Sequence, residues 1–240
     1  MFCAVCIAPR EKKGLFYRRR CEAEAVRTAV KGGAPFLRLT VFPGRKGVDW
    51  GLVERAAGRS GRFVLLPDGV EWPPSCRLRR FVPEVLPLKI MLNTAAEALR
   101  DGKEQGRSLL IRDENAVLSP YIDRVVLCAS QIRVQTERPE LYYEAAARVM
   151  ERFGAAVSVG PVEPVSGTVD AAVTNEPLEN ANMNFAAQSL MDGQTPFEMP
   201  EEYRRLCPEG IDPFLFLCAL YECSGVRAAG ELTAAEPPKQ

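Results

Sequence analysis

The sequence contains no histidine, and that single absence removes a great deal of chemistry. Ser-His and Cys-His nucleophile schemes, the commonest general base, and most zinc and copper sites all depend on imidazole. Any catalysis would have to come from carboxylates, lysine, tyrosine, cysteine or a bound cofactor, and no particular cofactor is indicated. Net charge is also missing. The 31 Lys and Arg residues are matched by 31 Asp and Glu, so no overall field draws the chain to nucleic acid or an acidic membrane surface. The longest strongly apolar run, Phe214 to Tyr221, falls far short of the roughly 20 residues that span a bilayer. The amino terminus has no basic region ahead of a long apolar segment, so no secretory signal is expected.

Cysteine is present eight times, but only Cys3 and Cys6 form a C-x-x-C. No second pair completes a tetrahedral metal site. The two lie within Phe2 to Ile7, read as a strand in which residues three apart face opposite sides. A redox dithiol instead sits at a helix N-terminus, which lowers its thiol pKa. Buried, inert thiols and no metal site are expected, and with no disulfide framework and no export signal the predicted compartment is the cytoplasm.

What is present is enough apolar material for a substantial core, 47% of 240 residues, arranged as alternating strand and helix patterns. Residues 1–83 read as a smaller α/β half. Phe2 to Ile7 is its first strand, Cys21 to Lys31 a helix with a stripe through Ala25, Val26, Ala29 and Val30, and Phe36 to Phe42 a second strand ended by Pro43-Gly44. Asp49 caps a short helix, and Arg62 to Leu66 forms a third strand. A connecting helix follows within residues 84–106, from about Pro83 to Arg100, with Leu88, Met91, Leu92, Ala95, Ala96 and Leu99 on its inner side and Asp101-Gly102 at its end.

Residues 107–176 form the second α/β half. Ser108 to Ile111 is a short buried strand; Ser119-Pro120 supplies an N-cap hydroxyl and a first-turn proline for a helix carrying Ile122, Val125, Val126 and Ala129. Gln131 to Gln135 switches to strand alternation. Pro139 opens a helix striped with Leu141, Tyr142, Ala145, Ala146, Val149, Met150 and Phe153 and closed by Gly154. Ala155 to Val159 and Val169 to Val173 are further strands. Residues 177–227 read as a long, weakly structured excursion followed by an apolar helix from Asp212-Pro213 to Gly225, and residues 228–240 as a disordered tail. The expected class is α/β, a largely parallel sheet flanked by helices.

The segment 107–175 resembles the Rossmann-like superfamily. In its dinucleotide-binding members a Gly-x-Gly-x-x-Gly turn follows the first strand, so that backbone amides approach the pyrophosphate. Asp113, Asn115 and Leu118 stand at those three positions, and Asp113 with Glu114 would repel a diphosphate. Glu137 lies where the family carries its ribose-binding acid. Leu109 to Glu114 also resembles the opening strand and acidic pair of a response-regulator receiver domain, with Asn175 in place of the phosphate-accepting aspartate.

In an open parallel sheet, ligands bind beyond the carboxyl ends of the strands. The candidate ligand-binding residues are therefore Asp113, Glu114 and Asn115, then Thr136, Glu137 and Arg138, then Thr174 and Asn175. The expected function is a non-catalytic small-ligand-binding or regulatory module without a phosphate turn, its partner a small molecule rather than nucleic acid or membrane. An enzyme using Asp113 and Glu114, with or without magnesium, is the alternative. A homo-oligomeric assembly protein using the apolar C-terminal helix is the third reading. The basic clusters Arg18 to Arg20 and Arg77, Arg79, Arg80 are read mainly as solvated faces.

Overall fold

A computed structural model describes residues 1–9, 20–71, 73–101 and 107–235. In chain order its elements are β1 (Cys3–Ile7), β2 (Glu22–Thr28), β3 (Phe36–Phe42), α1 (Trp50–Ala57), β4 (Val64–Leu65), α2 (Leu86–Asp101), β5 (Ser108–Arg112), a 3-10 turn (Ser119–Arg124), β6 (Gln131–Gln135), α3 (Pro139–Phe153), β7 (Val157–Gly160), β8 (Val169–Thr174), β9 (Ala181–Ala186), α4 (Ala187–Met191), α5 (Glu201–Arg204) and α6 (Pro213–Ser224). The fold is α/β, with helices flanking two separate sheets. Residues 1–83 and 199–229 make one compact unit; residues 84–198 and the segment from Gly230 make the other. No helix among the described residues is long and apolar enough to cross a membrane.

The first unit has a mixed sheet ordered β2-β3-β1-β4. β1 runs parallel to β3 and β4, and β2 runs antiparallel to β3. Alternation along the strands divides their side chains between two cores. Cys3, Val5, Leu37, Leu39 and Val41 pack with Val53 and Ala57 of α1. On the other side, Phe2 and Phe36 stack with ring centroids 5.1 Å apart, and both meet Phe216 of α6 edge-on at 5.9 and 5.2 Å. α6 starts as its sequence predicts, Asp49 of α1 and Asp212 of α6 each accepting a hydrogen bond from the backbone N–H three residues on. Phe216 to Leu220 are all buried within the chain.

β2 corrects the sequence reading of Cys21 to Lys31 as a helix. Of its supposed stripe, Ala25, Val26 and Ala29 are exposed and only Val30 is buried. Cys21 and Ala23 face the core instead, the two-residue alternation of a strand. Local propensity was overridden by the free edge of β3, against which seven consecutive residues pair from Glu22↔Phe42 to Thr28↔Phe36.

The second unit is built on a five-stranded, wholly parallel sheet ordered β7-β6-β5-β8-β9. Leu109, Ile111, Ile132, Val134, Ala171, Val173 and Phe185 share one face by register and are buried. At about 1.5–3 kcal/mol for each fully buried large aliphatic or aromatic side chain, this face supplies much of the unit's stability. All six residues expected on the inner side of α2 are buried. Gly102 and residues 236–240 lie outside the described residues, as do Arg18 and Arg19.

Four expectations are corrected here. The helix expected from Ser119 is a short 3-10 stretch of six residues with no side-chain cap; the Asp113 carboxylate holds the two amides just before it, Val117 and Leu118. In α3 only Tyr142, Ala145 and Val149 of the stripe are buried, while Leu141, Met150 and Phe153 are exposed. Residues 177–198 are not weakly structured, because β9 adds a fifth parallel strand and α4 follows it. Only six residues, 175–180, join the parallel neighbours β8 and β9, where a crossover of a dozen or more is usual. Nor is the tail disordered through residue 235. Asn93 of α2 donates to the carbonyls of Gly230 and Leu232 at 3.0 and 2.9 Å, and Thr94 accepts from the Ala234 N–H at 2.9 Å.

Candidate functional site

At the carboxyl edge of the second sheet, β6, β5 and β8 end side by side, which brings the three groups of sequence-derived candidates to one edge. Asp113 is only 1% exposed. Its Oδ1 accepts the Val117 N–H at 3.0 Å, and its Oδ2 accepts the Leu118 N–H at 2.6 Å and the Tyr142 hydroxyl at 2.8 Å. Burial, and then the charge of Asp113, push the Tyr142 phenol far above its ordinary pKa, so it remains a neutral donor.

Backbone bonds stitch the ends of β5 and β6 together. The Asp113 N–H donates to the Gln135 carbonyl and the Glu137 N–H to the Glu114 carbonyl, at 2.9 and 3.1 Å. Thr136, fully buried, donates its hydroxyl to the Glu114 carbonyl and accepts the Arg138 N–H. The side chains of Glu114, Asn115, Glu137 and Arg138 are exposed. On β8, the Thr174 hydroxyl turns back to the Glu176 carbonyl, and the exposed Asn175 accepts the Gln188 N–H through its own carbonyl. Asp113, Thr136 and Thr174 are thus engaged internally, and Glu114 does not join Asp113 as a buried carboxylate pair.

This unit also has a cavity away from that edge. On the Leu110 face of the sheet the described cover comes from links between strands. Val165 and Leu178 pack with Leu110, Ala172 and Ala181. Arg112 and Gln135 both donate to the Glu163 carbonyl at 3.0 Å, and Asn184 holds Leu178 through a paired amide contact at 2.7 and 2.9 Å.

Beside this thin cover is a cavity of about 410 Å³ lined by residues of β5, β6, β7 and the link before β8, among them Gln131, Arg133, Ser158, Ser166 and Thr168. None of the eight sequence-derived candidates lines it. Ser108 at its rim is fixed: its N–H and hydroxyl both donate to Asp170 Oδ2, at 2.8 and 2.9 Å. Those bonds hold the Asp170 carboxyl below its usual pKa, opposed in part by burial.

Sequence reasoning missed this cavity because it expected a sheet flanked by helices and a ligand at the strand ends. The available signal was Gln131-Ile132-Arg133 and Val157-Ser158-Val159, whose alternation puts polar side chains on the face opposite Ile132. Among the described residues, no cluster of three Cys, Asp or Glu is placed to hold a metal ion. Comparison of the chain with protein families, curated proteins and solved structures finds no match.

Proposed function

We propose that the second unit is a Rossmann-like scaffold serving as a non-catalytic small-ligand-binding or regulatory module, with the phosphate seat filled from within. The observation that carries this reading is the Asp113 carboxylate accepting the Val117 and Leu118 amides. In a dinucleotide-binding turn such amides face the ligand's pyrophosphate; in this chain a side-chain anion already occupies them. Counted from its own first strand, the sheet order β7-β6-β5-β8-β9 reads third, second, first, fourth, fifth. That is the order of the dinucleotide-binding folds and differs from the second-first-third-fourth-fifth order of receiver-like sheets.

The ligand surface on this reading is the 410 Å³ cavity, whose hydroxyls, amide and single guanidinium suit a small polar molecule with at most one negative charge. A thermal-shift screen of sugars, polyols, amino acids, nucleosides and NAD(P) tests it, with hydrogen exchange used to locate each hit. The expected hit protects amides in 130–133 and 157–168 and is weakened by Arg133→Ala. An NAD(P) complex that protects the amides of 113–118 would overturn the proposal.

A further inference from the structure

The first unit holds a larger cavity, of about 770 Å³, between the start of β2, the link from β3 to α1, and α1 itself. Four cationic side chains line it: Arg20, Arg45, Lys46 and Arg55. Among the described lining residues the only carboxylate is Asp49; its Oδ1 accepts the Leu52 N–H at 3.1 Å to cap α1, and its charge leaves the lining at a formal +3, four cations less one carboxylate. In a chain whose formal charge is zero, this is a local excess of positive charge in a concave place, where field lines concentrate, even though Arg20 is engaged by another group and Glu54 neighbours Arg55.

Two of these cations sit on a turn that its glycines set against the start of β2. Gly44 and Gly47 exchange two hydrogen bonds, Gly44 N–H to Gly47 carbonyl at 3.0 Å and the reverse at 3.1 Å, leaving Arg45 and Lys46 at the tip of a two-residue turn. Neither glycine is replaceable without cost. A Cβ on Gly44 would stand 2.8 Å from the Cys21 nitrogen and 2.9 Å from the Arg20 carbonyl carbon, and Gly47 has φ +91°. Arg45 and Lys46 thus sit side by side at the tip of this turn, and Arg55, in the last turn of α1, lines the same cavity. A guanidinium matches a phosphate's oxygens with two parallel donors, whereas an ammonium acts as a compact point charge. The cavity volume lies in the range that encloses a nucleotide-sized molecule.

We propose that this cavity binds a phosphorylated small molecule carrying at least two negative charges, with Arg45, Lys46 and Arg55 as its ligands. The site draws on no residue of the second unit and stands or falls independently of the function proposed there. Titration calorimetry of the full chain at low ionic strength, with inorganic pyrophosphate and then ATP as probes, tests it. One pyrophosphate per chain is expected, weakened at least tenfold by the pair Arg45→Ala and Lys46→Ala. The pair Arg79→Ala and Arg80→Ala, which removes the same charge outside the cavity, should leave affinity within twofold.

ATP binding several-fold tighter than pyrophosphate assigns the site to a nucleotide, and equal binding assigns it to the phosphates alone; either supports the proposal. Unchanged circular dichroism in each pair keeps loss of binding distinct from loss of fold, and Lys46→Glu provides a second variant at the exposed tip. Absence of saturable pyrophosphate binding overturns the proposal. So does equal weakening by both pairs, which would mean a diffuse field, and so does tighter, steeply salt-dependent binding of a single-stranded RNA.

Discussion

Replacing Asp113 with alanine isolates the claim that this carboxylate is a structural anion. The change leaves the Leu118 N–H and the Tyr142 hydroxyl buried without an acceptor, while the Val117 N–H, on a half-buried residue, can recover water. At about 1–3 kcal/mol for each buried donor left unsatisfied, two such donors give a loss of about 2–6 kcal/mol. For a chain of this length, with about 2–4 °C lost per kcal/mol, the second unit should melt about 4–24 °C lower. Asp113→Asn keeps one acceptor oxygen in the same volume and should cost clearly less. Because the alanine variant opens an anion-sized seat lined by two amides, added acetate should restore part of the lost stability in proportion to its concentration. Urea unfolding followed by circular dichroism, with hydrogen exchange at 113–118, reads all of this. If Asp113→Ala lies within about 0.5 kcal/mol of the parent, the carboxylate does not hold the turn, and the internal-anion argument fails with it.

Two other predictions rest on separate observations. The Asp170 carboxyl titrates below its unfolded value of about 3.9, so its contribution is complete above that pH and is lost as pH falls through the folded pKa. Asp170→Asn should therefore cost about 1–2 kcal/mol at pH 7, and the gap between urea midpoints should narrow as pH falls below about 3.9; a gap undiminished at the lowest pH at which both proteins stay folded would refute the assignment. Burial, then the neighbouring Cys6, push the Cys3 thiol up to about 12, and burial raises Cys6 against the opposing charge of Arg38. Both should resist a thiol reagent at pH 8 until the chain unfolds, and labelling at rates near those of an exposed thiol would contradict their burial.

The strands of the second unit were legible because Ser108 to Ile111, Gln131 to Gln135 and Val169 to Val173 carry their own signals: short apolar or alternating runs closed by turn residues. Helix ends were legible for a similar reason, since Asp49, Asp212 and Gly154 act within one turn of themselves. β9 was not, because the strand-helix-strand rhythm breaks where six residues replace a crossover helix. β2 was not either, because its strand state depends on a partner edge supplied by β3.

The candidate site divides along the same line. Sequence alone determined that histidine chemistry is absent, that helices flank largely parallel strands, and that no glycine turn follows β5. Only the tertiary structure decided that Asp113 spends its charge on Leu118, Val117 and Tyr142, the last 29 residues away in sequence, and that concave surface lies beside Arg133 and around Arg45. Local pattern encodes what a residue prefers over one or two turns of chain, whereas an acceptor's partners and a cavity's walls come from segments that meet only after folding.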